Sequence, residues 1–232
     1  MMKEPFSITM RRYEINAGIL WLLFYLLLMG DVVGLLLRFL GVSVSTATLN
    51  AVFFVVNFIV TVIIFRRFLA YSLPLAADKP LKFLSGILLG FCIYEGFQVA
   101  LGILYGVLFP NLWTPNDENI RSIAAESYHI MWAGAVLLGP LTEETLLRGL
   151  IFGNLRRKNR VAAYIVTALV FALMHILGYV LEMDVVTFLL NFALYALPSV
   201  ALCAAYEYAG TVWAPIALHM ILNALSMYAM NM

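Results

Sequence analysis

The stretch YHIMWAGAVLLGPLTEETLLRGLIFGN, which runs from Tyr128 to Asn154, decides how this chain is interpreted. A helix needs about twenty predominantly apolar residues to cross a bilayer, and this stretch is long enough. Yet it contains two adjacent carboxylates, Glu143 and Glu144, and the guanidinium of Arg148. Ionisable groups at membrane depth are costly and mark a functional site by default. We therefore expect a polar site inside a membrane protein.

The composition supports a membrane location for the whole chain. Of its 232 residues, 64% are hydrophobic and 12% are charged, whereas a soluble domain is about half apolar and about a quarter charged. The fold class expected is all-α, a polytopic transmembrane helical bundle. The net charge of +1 gives no argument for nucleic acid as a partner. The expected partners are the lipid bilayer and a peptide or membrane-protein substrate.

The hydropathy pattern predicts about seven spans, within a range of six to eight, in a single integral membrane domain over residues 1–232. Residues 128–232 carry the catalytic motifs. The short segment Asp31–Leu40 either continues the first span, lies in the interface or forms an extra helix. The candidate spans are Ile15–Met29, Ala47–Phe65, Phe83–Phe109, Tyr128–Asn154, Val161–Val180, Val185–Tyr206 and Val212–Met230.

The distribution of basic residues predicts the orientation, since Lys and Arg concentrate in cytoplasmic connections. Basic residues precede the first span and fill the second and fourth connections, namely Lys3, Arg11, Arg12, Arg66, Arg67, Lys79, Lys82, Arg156, Arg157, Lys158 and Arg160. The third connection, residues 110–127, is acidic instead. We expect a multi-pass protein of the cell membrane with a cytoplasmic N-terminus, and with seven spans the C-terminus lies outside.

The two glutamates are expected to have different roles. They lie about 100° apart on a helix and cannot point the same way. Glu144 and Arg148 are four residues apart on one face, a favourable arrangement for an ion pair. Glu143 is then free to face a cavity as a general base. The alternative is a salt bridge that joins helices and has no chemical role.

Two further motifs lie at a similar predicted depth. FALMH places His175 one turn after Phe171, and HMILN places His219 and Asn223 on one face of the last span. Each polar group lies roughly 18 to 22 Å along its helix from the cytoplasmic end. An imidazole and a carboxamide can donate hydrogen bonds to an oxyanion, although each residue alone could simply join helices. Their occurrence at one depth favours a shared site.

At these residues the chain resembles the CAAX-processing and bacteriocin-processing (CPBP, or Abi) family of intramembrane proteases. The resemblance rests on three blocks in order, GPLTEETLLRGLIFGNL, FALMH and WAPIALHMILN, and covers roughly residues 139–223. It implies a helical fold with a cytoplasm-facing cavity and hydrolysis of peptide bonds in membrane-associated peptides or protein tails. It also implies that Glu143 activates water with His175, that His219 and Asn223 hold the oxyanion, and that Glu144 and Arg148 support them.

The resemblance leaves metal dependence open. No zinc-protease helix motif or cysteine cluster is present, so a glutamate-dependent mechanism without a cofactor is favoured. Zinc is the alternative, with Glu143, His175 and His219 as ligands, because three protein ligands and an open position suit catalytic zinc.

Two other functions are compatible with the sequence. One is a non-catalytic bacteriocin-immunity or sensor-regulating membrane protein of the same fold. The other is a proton-coupled transporter, since intramembrane Glu and His also form proton relays. Transport is disfavoured because no inverted repeat is evident.

Overall fold

The structure is a computed structural model that describes residues 9–41 and 44–230, and within these ranges every regular element is helical. Lys3, used above to predict the orientation, lies outside the described residues. The helices are α1 Arg12–Leu27, α2 Met29–Phe39, α3 Thr46–Asp78, α4 Pro80–Leu108, α5 Pro115–Glu126, α6 Tyr128–Trp132, α7 Gly139–Glu144, α8 Gly153–Arg156, α9 Arg160–Ile176, α10 Val185–Ala209 and α11 Trp213–Met230.

The number of candidate spans is close to the predicted number. Five helices in the described ranges, α3, α4, α9 with its extension to Tyr179, α10 and α11, are long and apolar enough to cross a membrane. Helices α1 and α2 together form a sixth candidate, bent by 69°. The segment 128–156, predicted as a further span, consists of α-helical pieces joined by π-helical turns. The predicted helical membrane bundle is confirmed, and the segment Asp31–Leu40 belongs mostly to the bent second half of the first span.

Residues 128–156, called the motif helix below, are an α-helix twice widened into π-helix. The π-helical parts are Ala133–Leu138 and Thr145–Phe152, on either side of α7. Pro140 lies in the first turn of α7 and has no N–H to donate, so regular α-helical bonding is disturbed there. Such π-bulges are frequent at functional sites. The irregularity beside Pro140 takes the form of π-helical widening.

Close packing of α4 on α10 holds the centre of the bundle. Gly86 and Gly90, four residues apart on α4, face a row of alanines on α10. A Cβ added at Gly86 would lie 2.8 Å from the Ala209 Cβ, and one added at Gly90 would lie 2.9 Å from the Ala205 Cβ. Small residues at this spacing let two backbones approach within a membrane.

The bundle has two distinct ends. At one end, here called the basic end, Glu207 closes α10 and binds both Arg156 and Arg160, the latter at 2.9 Å. At the same end Thr211, before α11, donates a hydrogen bond of 2.9 Å to the Ser72 carbonyl near the end of α3. The basic connections identified from the sequence therefore lie together.

The opposite end, here called the α5 end, is covered by the short helix α5. Its Ile123 packs in one cluster with Ala47 at the start of α3, Met131 at the start of the motif helix and Met227 near the end of α11. The Ala47 amide also donates a hydrogen bond of 3.0 Å to the Glu126 carboxylate. Helix α5 is thus joined to the membrane helices on several sides.

Candidate functional site

One cavity of 390 Å³ brings together four of the six predicted site residues. Glu143 from the motif helix, His175 from α9, and His219 and Asn223 from α11 all line it. Its volume lies in the range of small-molecule and peptide-sized sites, about 300 to 1,000 Å³. Three sequence motifs separated by up to 80 residues therefore meet at one surface.

The other two predicted residues lie behind this surface. Arg148 Nη1 donates a hydrogen bond of 2.9 Å to Glu144 Oε1, and both side chains are 0% exposed. Arg148 Nη2 reaches α10, where it donates to the Ser199 carbonyl at 3.1 Å and to its hydroxyl oxygen at 2.8 Å. The guanidinium carbon also lies 4.8 Å from the ring centroid of Phe171. The predicted ion pair is present, and it ties the motif helix to both α9 and α10.

His219 makes a contact that the sequence did not indicate. Its Nδ1 lies 2.8 Å from Glu144 Oε1, so the same carboxylate oxygen serves both His219 and Arg148. A carboxylate only accepts hydrogen bonds, so Nδ1 carries the proton. In the neutral ring Nε2 is then an acceptor, and it donates only when the ring is doubly protonated. With Nδ1 protonated, a neutral His219 presents an acceptor to the cavity, and the role of His219 as an oxyanion donor stays a prediction.

His175 is held between two aromatic rings. The Phe171 ring lies at 4.5 Å and 37°, as the one-turn spacing predicted, while Tyr195 of α10 stacks at 4.5 Å and 15°. His175 Nδ1 lies 2.8 Å from its own helix's Phe171 carbonyl, so Nδ1 again carries the proton. His175 Nε2 is consequently the nitrogen that a substrate or water can use.

Asn223 is both a cavity residue and a link between helices. Its Nδ2 donates a hydrogen bond of 2.8 Å to the carbonyl of Ala135, in the first π-helical part of the motif helix. A carboxamide has two N–H donors, so a second one is available for a substrate. The structure is thus compatible with both interpretations of Asn223, as a hydrogen-bond donor to a substrate and as a contact that joins two helices.

The cavity also includes polar residues that the sequence reasoning missed. Tyr195 donates to Asp117 of α5 at 3.1 Å and accepts from Asn116 at 3.2 Å, so α5 holds the ring that stacks on His175. Gln98 lies at the cavity too and donates to Tyr94 at 3.0 Å. Tyrosines inside apolar runs carry no motif, and a single Gln98 in such a run is compatible both with a cavity residue and with a contact between helices. No sequence signal distinguished them from packing residues.

The side chains do not fit the proposed zinc ligand set. In the described parts of the chain, no three His, Cys, Asp or Glu side chains are close enough to share a metal ion. The Nδ1 bonds of His219 and His175, to Glu144 and to the Phe171 carbonyl, leave both Nε2 atoms free and do not themselves argue against a metal. Glu143, His175 and His219 line one cavity without converging on one point. No step below is therefore routed through a metal.

The cavity extends from the middle of the bundle towards the α5 end. On α11 it is lined from His219 to Met230, about 16 Å along the helix axis. Near the α5 end it is lined by Asn50 in the first turns of α3 and by Asn119 of α5. None of the residues that line this cavity belongs to the basic connections.

Two expectations from the sequence are therefore incompatible in this structure. The basic residues predict that the basic end is cytoplasmic, whereas the resemblance implied a cytoplasm-facing cavity. The cavity and the basic connections lie at different ends of the bundle.

Fold and site together define a multi-pass membrane protein with a polar, carboxylate- and imidazole-lined cavity within the bilayer region. Comparison with protein-family models gives the class: residues 125–225 match the model described as type II CAAX prenyl endopeptidase Rce1-like. Residues 125–225 are thus similar to the CAAX intramembrane proteases, and the resemblance seen in the motifs is confirmed. All six predicted site residues lie within the matched region. No curated protein and no solved structure matched the chain. The family supports a CAAX-type intramembrane endopeptidase in general.

Proposed function

We propose that this protein cleaves peptide bonds of membrane-associated peptides or protein tails by a glutamate-dependent mechanism within the cavity. The observation that carries the proposal is that Glu143, His175, His219 and Asn223 line one cavity. Glu144 and Arg148, by contrast, are fully buried and pair with each other behind it. Hydrolysis needs this arrangement, in which the reactive groups line the cavity and the charged pair that holds them in position is buried behind it.

Glu143 is the proposed base. It takes a proton from a water molecule while that water attacks the scissile carbonyl carbon. His175 Nε2, the acceptor nitrogen of a ring held between Phe171 and Tyr195, orients the same water. When the C–N bond breaks, the protonated Glu143 returns the proton to the leaving amine. Water is thus divided between the new carboxyl group and the new amino group.

Asn223 is the proposed donor to the oxyanion, through the N–H that does not bind Ala135. Donors aimed at developing negative charge are usually the largest single contribution to catalysis. His219 adds a second donor when its ring is doubly protonated, with Glu144 accepting from Nδ1. The Glu144–Arg148 pair therefore acts on the reaction through His219.

The experiment that tests the proposal compares new N-termini in membrane fractions of cells producing the wild-type protein or Glu143→Gln. The substitution removes the base and nearly preserves the shape of the side chain, so we expect the cleavage products to disappear. Glu182→Gln, in the exposed connection between α9 and α10, is the matched control and should retain them.

Thermal unfolding in detergent shows whether all three proteins are equally folded. An identical set of products from wild type and a well-folded Glu143→Gln protein would contradict the mechanism. Absence of any product difference between wild type and cells lacking the protein would instead favour the non-catalytic immunity or regulatory function.

A further inference from the structure

We infer that the substrate reaches the cavity from the non-cytoplasmic face of the membrane, so that the substrates are peptide segments exposed on that face. This inference rests on the proposed function and specifies its substrate class. It follows from the positions of the cavity and of the basic residues at opposite ends of the bundle.

The position of the cavity comes from the residues that line it. Along α10 the cavity is lined by residues of the middle, from Leu194 to Leu202, and along α9 by residues of the last half, from Phe171 to His175. The lining residues of α9 therefore lie towards the α5 end, and those of α10 lie near the middle of the bundle. The cavity therefore extends about halfway through a hydrocarbon layer of about 30 Å and stops near Glu143.

The orientation comes from charge. The basic end contains Arg11, Arg12, Arg66, Arg67, Lys79, Lys82, Arg156, Arg157, Lys158 and Arg160. Of the basic residues in the described ranges, the α5 end has only Arg38 and Arg121, together with acidic groups such as Asp117 and Glu126 in α5. The excess of Lys and Arg in short connections sets the orientation of membrane proteins. The basic end is accordingly cytoplasmic, and the α5 end is not.

The charge of the cavity indicates what it accepts. Among the described residues that line it, the carboxylates are Asp117 and Glu143, and none is a Lys or Arg. Like charges in a space of low dielectric repel strongly. A free C-terminal carboxylate near Glu143 is therefore disfavoured, and an uncharged or cationic segment is favoured. We therefore do not expect substrates whose C-terminal carboxylate must be bound beside the scissile bond.

The test uses cysteine labelling and needs no proteolysis. In a background without Cys92 and Cys203, Ser226→Cys places a thiol at an exposed cavity position on α11. Ala77→Cys, exposed at the basic end of α3, is the matched control. We expect a membrane-impermeant maleimide to label Ser226→Cys in intact cells and Ala77→Cys only after the membrane is permeabilised.

The opposite pattern, with Ala77→Cys labelled in intact cells and Ser226→Cys protected, would overturn the inference, and so would labelling of both. Should Ser226→Cys not fold, Asn119→Cys on α5 replaces it, because Asn119 is also exposed and lines the cavity.

The charge of the substrate is tested by protecting the new thiol from the maleimide with a Lys-containing peptide or with its Glu-containing counterpart. Equal or better protection by the Glu-containing peptide would contradict the charge argument. A protein without proteolytic activity can still be labelled, so this inference and the proposed function fail separately.

Discussion

Arg148 shows how one residue holds a charged group in an apolar bundle. The side chain is fully buried, yet its nitrogens bind Glu144 and Ser199, and its planar face lies over Phe171. An Arg guanidinium suits this position because it is planar, always charged and able to donate in several directions. The same Glu144 oxygen accepts from His219. The pair therefore stabilises the bundle and orients a cavity residue.

The first prediction concerns Arg148→Met, which leaves Glu144 buried without its cation. Breaking a buried pair in this way costs about 3 to 5 kcal/mol, so we expect a large decrease in the melting temperature in detergent. Arg160→Met is the control, since Arg160 lies largely exposed beside Glu207 and exposed pairs contribute about 0 to 1 kcal/mol. The double variant Glu144→Gln/Arg148→Met should recover part of the loss. Equal effects of the two single Arg substitutions would show that the buried pair has no special importance.

The second prediction concerns Asn223→Ala. If Asn223 donates to the oxyanion, removing it should lower kcat by about a hundred- to a thousand-fold and leave substrate affinity nearly unchanged. His219→Ala should behave similarly, and the double variant should cost less than the sum of the two. Asn57→Ala is the control. Asn57 is also a buried amide, but its Nδ2 donates to the Phe53 carbonyl of its own helix.

Single-turnover kinetics measure the change in rate. The substrate is one identified by comparing new N-termini in membrane fractions of cells that produce wild type or Glu143→Gln. The Asn223 hydrogen bond to Ala135 also joins two helices, so a modest decrease in stability accompanies the loss of rate. A decrease in stability with an unchanged kcat would show that Asn223 only joins two helices.

At the level of elements, two features position the site. The motif helix is widened into π-helix on both sides of α7, which carries Glu143 and Glu144. Packing of α4 on α10 supports the opposite wall, where Tyr195 stacks on His175. The short helix α5 then fixes Tyr195 through Asn116 and Asp117.

The third prediction tests the α4–α10 packing with two glycines of one helix. A Cβ at Gly90 would lie 3.0 Å from the Ala201 carbonyl oxygen and 2.9 Å from the Ala205 Cβ. Gly90→Ala should therefore separate the helices and lower the melting temperature in detergent. A Cβ at Gly102 would meet nothing within 4 Å, so Gly102→Ala should be neutral or stabilising, because Ala is favoured over Gly in helices by about 0.5 to 1 kcal/mol. Equal melting temperatures for the two variants would contradict close packing at Gly90.

At the level of the whole molecule, the spacing of possible ligands bears on metal dependence. Among the described residues, no three His, Cys, Asp or Glu side chains lie close enough to share a metal ion. We therefore predict that cleavage survives dialysis against strong chelators, and that elemental analysis of the purified protein finds much less than one metal ion per chain. Stoichiometric zinc, with activity restored only by zinc, would assign water activation to a metal centre.

Much of the bundle was predictable from the sequence because the bilayer restricts the possible structures. Backbone groups in lipid must be hydrogen-bonded within the chain, so long apolar runs become helices. The long apolar helices, the pairing of Glu144 with Arg148 and the stacking of Phe171 on His175 all follow from apolar length or helical spacing. The similarity to the intramembrane protease family could also be recognised, since the motifs lie in one continuous region.

Only the tertiary structure decided how these helices share atoms and which end the cavity faces. The contact of His219 with Glu144, 75 residues apart, depends on helix packing that no local pattern encodes. It determines which nitrogen of His219 is left for the cavity. The same holds for Tyr195 and α5, whose contribution is a matter of shape and distance. Sequence spacing gave the depth of the polar groups along each helix. A residue near the middle of a bilayer is about equally far from both membrane faces, so its depth does not show from which face the cavity opens. The direction of the cavity depends on which side chains leave space between the helices, and that space exists only once the bundle is assembled.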